Sequence, residues 1–198
     1  MKIHLSFFFT LAIMLGACSK QEIGKQPLPV KQFPEMLITE LNDAAVTDKQ
    51  AQRLDLDQDG TADLLFSTWN IGNPNQHEDE LLFFAASGTG SALFVGDHNN
   101  SPVYNKRDIL PVLPARGYDW YIVSQVEMAM RNTGYAGDPY WEKAWKDASH
   151  QFLQVRVARN NGLYYGWVEV SMDKANSMLI LHRSGISKIP GRAVKAGE

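Results

Sequence analysis

The segment Asp55-Leu56-Asp57-Gln58-Asp59-Gly60-Thr61-Ala62-Asp63 has the residue types and spacing to do chemistry. It reads D-x-D-x-D-G-x-x-D, with carboxylates in the first, third, fifth and ninth places and glycine in the sixth. A hard cation such as Ca2+ takes about six to eight oxygens at about 2.3–2.6 Å, and a glycine there lets the chain wrap sharply around it. The expected ligands are Asp55, Asp57, Asp59 and Asp63 through their side chains and Thr61 through its backbone carbonyl. Four acids held this close repel one another unless a cation lies between them. The competing reading is an Asx-rich turn between two strands. Phe66 stands where an EF-hand places its bidentate glutamate, and Leu64-Leu65-Phe66 reads as a strand that begins at once. The expected role of the ion is structural.

Other residues invite weaker readings. Glu127 and Glu169 fall on expected strands, and two carboxylates about 5 to 9 Å apart in a groove could act as a glycosidase acid and base. Glutamates on a solvated strand face are far commoner than such a pair. His77 with Glu78, Asp79 and Glu80, and His98 with Asp97, have metal-binding side chains but not the paired-histidine spacing of a zinc site. Trp141, Trp145 and Trp167 could stack on sugar rings or anchor a protein partner, with core packing as the alternative. There is one cysteine, which excludes a disulfide framework or a Cys-rich zinc site, and neither a Gly-rich phosphate loop nor a nucleophile elbow occurs. A net charge of −3 argues against a dedicated nucleic-acid binder.

The elements that must hold these residues follow from period-two alternation, the mark of strands with one buried face. Candidate strands are Leu64 to Trp69, Leu81 to Ala86, Ala92 to Gly96, Trp120 to Met130, Phe152 to Ala158, Tyr164 to Met172 and Met178 to His182. Leu153, Val155 and Val157 share one face, with Phe152, Gln154 and Arg156 on the other, while Val168, Val170 and Met172 point inward opposite Trp167, Glu169 and Ser171. Arg159-Asn160-Asn161-Gly162 is turn chemistry and joins two of these strands as a hairpin. Asp138-Pro139 reads as a helix start, with Trp141, Ala144, Trp145 and Ala148 at helical spacing after it. Glu35 to Leu41 and Ala44 to Leu54 fit a short helix or an edge strand. The fold class is all-β, mainly an antiparallel β-sandwich with one or two short helices, and a barrel is the alternative.

The N-terminus carries an address. Lys2 precedes an apolar stretch from Leu5 to Leu15, which is too short to span a bilayer, and Leu15-Gly16-Ala17-Cys18 resembles the lipobox of bacterial lipoproteins. The resemblance implies cleavage before Cys18, acylation of that residue, and attachment to the membrane through two or three chains. Residues 1–17 are then a signal peptide, 18–34 the lipidated cysteine with a Pro-, Lys- and Gln-rich linker, and 35–198 a single domain. Ser19 stands where the inner-membrane retention signal has aspartate, so the expected destination is the outer membrane.

The aspartate loop resembles the strand–loop–strand calcium sites of secreted β-rich proteins, including integrin-like propeller repeats, although one copy cannot build a propeller. Gly162 to Val170 with its Tyr165-Gly166-Trp167 core, the strand near Leu179-Ile180-Leu181, Pro190-Gly191 and Ala196-Gly197 resemble the end of a group of secreted bacterial β-sandwich proteins largely without assigned activity. The expectation is a lipid-anchored cell-envelope protein with a calcium-stabilised sandwich, a binding or structural module for a glycan or envelope protein. An envelope hydrolase acting on glycans is the runner-up.

Overall fold

Thirteen strands carry the chain: β1 (Met36–Val46), β2 (Gln52–Leu54), β3 (Leu64–Asn73), β4 (Glu78–Ser87), β5 (Ser91–Val95), β6 (Ile109–Leu110), β7 (Asp119–Ile122), β8 (Gln125–Gly134), β9 (Tyr140–Glu142), β10 (Gln151–Arg159), β11 (Gly162–Asp173), β12 (Met178–Ser187) and β13 (Val194–Lys195). The computed structural model describes residues 33–75, 77–134, 137–160 and 162–198. The expected signal peptide, Cys18 and most of the expected linker lie outside them. All named strand pairs are antiparallel. A six-stranded sheet runs β1-β12-β11-β10-β5-β7, a five-stranded sheet runs β2-β3-β4-β8-β9, and β13 pairs with β6. The fold is an all-β sandwich.

Alternation builds the core between the two large sheets. Leu153, Val155 and Val157 of β10 and Val168, Val170 and Met172 of β11 meet Phe66 of β3, Phe83 of β4 and Val126 and Met128 of β8. The hairpin between β10 and β11 forms in the expected register, with Arg159 opposite Gly162. The other face of β10 is also covered. Phe152 and Gln154 have no exposed surface, because the chain from Tyr104 to Val112 and the C-terminal residues Val194 and Ala196 form a second apolar cluster over it. Trp167 lies in that cluster, edge-on to Phe152 at 5.3 Å between ring centroids.

Of the two readings for Glu35 to Leu41 and its continuation, the edge strand is the one formed: β1 is an edge strand of the larger sheet. Two expectations are corrected. Trp120 to Met130 is two strands in different sheets, with the break at Val123, whose φ of 49° is a left-handed conformation costly for a β-branched residue. The apolar run Trp120-Tyr121-Ile122-Val123 leads straight into this corner and hides it, and the corner is held by Ser87 N–H donating to Ser124 O at 2.8 Å and Ser124 N–H to Ser87 Oγ at 3.0 Å.

The helix expected from Asp138 onward is absent too. β9 occupies its start, Lys143 at φ 72° and His150 at φ 52° flank the rest, and only two i→i−3 turn bonds, Lys146 N–H to Lys143 O and Ala148 N–H to Trp145 O, stay within it. Trp145 N–H donates to Met128 O of the smaller sheet, and Met172 N–H of the larger sheet donates to Ala148 O. Tertiary hydrogen bonds to both sheets replace the i→i−4 ladder, and Trp145 and Ala148 cap the core. Among the described residues the one helical segment is a 3-10 turn at Asp97–Asn99.

Candidate metal site

The expected calcium loop is the connection of a hairpin. Leu54 of β2 pairs with Leu64 of β3, and the nine residues between them fold back on their own carboxylates. Asp59 N–H donates to Asp57 Oδ1 at 3.2 Å and Thr61 N–H to Asp59 Oδ1 at 2.8 Å, two successive Asx turns. Gly60 N–H reaches Asp55 Oδ2 at 2.8 Å. Gln58 at φ 61° and Gly60 at φ 91° make the reversal, and glycine adopts the second without a Cβ penalty. Leu56, almost fully buried, fastens the loop to the core, and the β4–β5 turn grips its end where Gly88 N–H donates to Asp63 O at 2.9 Å.

This folding gathers Asp55, Asp57 and Asp63, whose ligand atoms lie within 4.8 Å of one another. Among the described residues it is the only such group, so the acidic runs beside His77 and His98 do not converge. Asp59 stays at the exposed rim, with its carboxylate engaged by Thr61, and Thr61 is exposed beside it. Asp57 and Asp63 are buried. Asp63 Oδ2 accepts from Leu56 N–H at 2.8 Å, yet burial, reinforced by the neighbouring aspartates, pushes its carboxyl up to about 6. Burial and then the charge of Asp59 also raise Asp57.

One oxygen of this group has no hydrogen-bond partner: Asp57 Oδ2 is buried, and the nearest cation, Arg159 Nη1, is 3.7 Å away, beyond hydrogen-bond reach. A buried carboxylate oxygen without a donor is costly. The all-oxygen donor set and this orphaned oxygen fit a hard cation.

The remaining sequence candidates separate. Glu127 ion-pairs with Lys143 at 2.6 Å on the smaller sheet, whereas Glu169 lies on the larger one, held by His150 and Arg183. Their strand neighbours Val126, Met128, Val168 and Val170 fill the core, so the two carboxylates point away from each other on opposite outer faces and form no glycosidase pair. Burial pushes Glu169 up, but hydrogen bonds from Arg183 and His150 outweigh it and leave the carboxyl below its ordinary value.

Trp145 and Trp167 are fully buried and present no stacking face, and Trp141 is half-buried against Phe83. An aromatic-lined cleft lies elsewhere, about 660 Å³ in volume and lined by Phe94, Tyr104, Arg116 and Tyr118 among others. Burial pushes the Tyr104 hydroxyl up to about 12. Sequence reasoning missed this cleft because its walls come from irregular segments without periodicity. No family model, curated protein or solved structure matches the chain.

Proposed function

We propose that this chain is a lipid-anchored cell-envelope module whose sandwich is stabilised by one calcium ion bound by Asp55, Asp57 and Asp63, with Asp59 and the Thr61 carbonyl joining at the rim. The observation that carries the calcium reading is the buried Oδ2 of Asp57, which no hydrogen-bond donor reaches, in a group where burial raises the carboxyls of Asp57 and Asp63. A cation there supplies the missing partner and relieves the repulsion. The ion holds the β2–β3 hairpin closed, and no chemical step is asked of it. The lipobox at Cys18 supports the anchor, and the aromatic cleft beside Tyr104 and Tyr118 suits a binding role, with a glycan or envelope protein as the ligand class.

Thermal melting of the full chain in detergent, with calcium, magnesium or chelator, tests the ion. For a dissociation constant near 10⁻⁴ M, about 1 mM calcium contributes roughly 1.4 kcal/mol, a rise of about 3–6 °C for a domain of this size. A calcium-specific rise that Asp57→Ala abolishes is expected, and an unchanged melting temperature refutes the site. Metabolic labelling with an alkyne fatty acid, lost in Cys18→Ser, tests the anchor separately.

A further inference from the structure

On the outer face of the larger sheet, remote in sequence from the acidic loop, the main chain breaks its own pattern around one residue. β11 pairs Glu169 with Arg183 and then Val170 with Leu181, so His182 is an extra residue in β12. On its other side β1 jumps from Glu40, opposite Arg183, to Ala44, opposite Leu181, leaving Leu41 to Asp43 opposite His182 alone. Both neighbours of β12 are therefore irregular at the same point, and bulges re-aim side chains. Asn42 and Asp43 take φ of 54°, and His150, before β10, takes φ of 52°. Three non-glycine residues in the left-handed region converge here, the kind of backbone strain that persists where the surroundings over-determine it.

The convergence produces a hydrogen-bonded chain of three side chains. Ser171 Oγ lies 2.8 Å from His182 Nε2, and His182 Nδ1 lies 2.6 Å from Asp43 Oδ1. The polarity of this chain follows from its ends. The backbone N–H of His150 donates to Ser171 Oγ at 2.8 Å, and at the other end the Asp43 carboxylate can only accept, which puts the imidazole proton on Nδ1 and leaves Nε2 to accept the Ser171 hydroxyl proton. Nε2 accepts it when the imidazole carries its proton on Nδ1, and Asp43 accepts that proton. The imidazole of His150 stacks on that of His182 at 4.2 Å between centroids, and its own Nδ1 is held by Glu169 at 2.9 Å. Nucleophile, base and orienting carboxylate thus stand in order, with His182 mostly buried and the His150 ring open to solvent.

We propose that Ser171, His182 and Asp43 form a serine esterase site acting on short-chain acyl esters, acetyl esters foremost. The hydroxyl proton of Ser171 passes to His182 Nε2 as Oγ bonds to the carbonyl carbon, and the carbonyl electron pair moves onto its oxygen. The His150 N–H, already 2.8 Å from Oγ, is the donor placed to turn to that oxyanion. Collapse breaks the ester C–O bond, and the departing alcohol takes the proton from Nε2. Water then attacks the acyl-serine, gives its proton to Nε2, and releases the carboxylic acid as Oγ recovers a proton. Asp43 is a positioning residue that holds the tautomer of His182. The acyl group is short because the one apolar side chain beside the hydroxyl is Ile180, opposite Ser171 in β12, while Glu169, Arg183 and the two histidines surround the rest and offer a long chain nothing to bury against. None of these residues belongs to the acidic loop, so the site stands or falls independently of calcium binding.

The full chain in detergent with calcium is treated with a fluorophosphonate probe and the modified residue is mapped by mass spectrometry. Hydrolysis of p-nitrophenyl acetate is followed in parallel. Modification of Ser171 is expected, with hydrolysis reduced at least a hundredfold in Ser171→Ala and His182→Gln. Asp43→Asn should lower kcat with KM unchanged and alter the pH profile, and Asp43→Glu should recover part of the rate. Mapping on the unaltered chain requires no variant to fold. Modification confined to other residues, no modification at all, or hydrolysis that persists in Ser171→Ala overturns the proposal.

Discussion

Asp63→Asn separates the cost of the buried loop charge from the benefit of a cation. The carboxyl of Asp63 is raised from 3.8 to about 6, chiefly by burial. A group whose folded value lies above its unfolded value contributes stability that is fully present below the unfolded value and lost as pH rises through the folded one. At about 1.4 kcal/mol per pH unit, the gap sets a ceiling of ~3 kcal/mol lost by cation-free protein between roughly pH 4 and pH 7, or about 6–12 °C in melting temperature. Asparagine keeps an oxygen to accept the Leu56 N–H and removes the charge. In chelator, Asp63→Asn should therefore melt above the unaltered protein at pH 7.5, by up to that amount, and level with it near pH 4. Comparing the two proteins cancels the opposite trend of carboxylates with lowered values, such as Glu169. With about 1 mM calcium at pH 7.5 the order should reverse, because the bound ion favours the ionised form and the variant has lost a ligand. Differential scanning calorimetry at four pH values, with calcium and with chelator, reads all of this. Identical pH dependence of the two proteins in chelator would refute the buried charge, and an order that calcium fails to reverse would refute the cation.

Further outcomes follow from the same geometry. Asp57→Asn should weaken calcium binding at least tenfold, about 1.4 kcal/mol, and by more than Asp59→Asn, because Asp57 is a buried member of the trio and Asp59 lies at its exposed rim; titration calorimetry measures both. Trp145→Ala removes a fully buried indole at the end of the core and should cost about 3–5 kcal/mol in urea denaturation. A Cβ on Gly166 would stand 2.2 Å from Gly185 O and 2.9 Å from Ile186 Cδ1, so Gly166→Ala should force β11 from β12 and destabilise by about 1–3 kcal/mol or more. Gly90→Ala, whose Cβ meets no atom within 4 Å, should remain within ~0.5 kcal/mol of the unaltered protein in the same measurement.

The parts of this fold legible in the sequence are those where one face of a strand is buried and the other solvated. The β10–β11 hairpin is the clearest case, since Leu153, Val155 and Val157 alternate and Asn160 supplies a left-handed turn residue. Alternation fails as a guide where a third layer covers the sheet. Phe152, Gln154 and Trp167 follow the outward phase, yet they are buried, because β6, β13 and the chain near Val112 lie over them, and those segments are too short and irregular to have a period. The helical spacing of Trp141, Ala144, Trp145 and Ala148 misled for a related reason. A chain that crosses from one sheet to the other also buries every third or fourth residue, and beyond two i→i−3 turn bonds its hydrogen bonds go to Met128 and Met172.

The acidic loop and the serine–histidine–aspartate chain differ in legibility because one is local and the other is not. Nine consecutive residues build the first, and its spacing is the pattern that wraps a backbone around one point. The second joins residues from β1, β11, β12 and the turn before β10, and His182 stands 139 positions after Asp43. No motif can register such a separation, and the alternation that revealed the strands works against it, since His182 reaches Ser171 through a bulge that shifts the phase of β12 by one residue. A regular β12 would put the next side chain in the pleat on the opposite face of the sheet, away from Ser171. Deleting His182, or inserting a residue opposite it in β11, would restore continuous pairing of β11 with β12 at the expense of the geometry that brings base and hydroxyl together. Local irregularity is thus the structural price of this constellation, and the left-handed Asn42, Asp43 and His150 mark where the fold carries it.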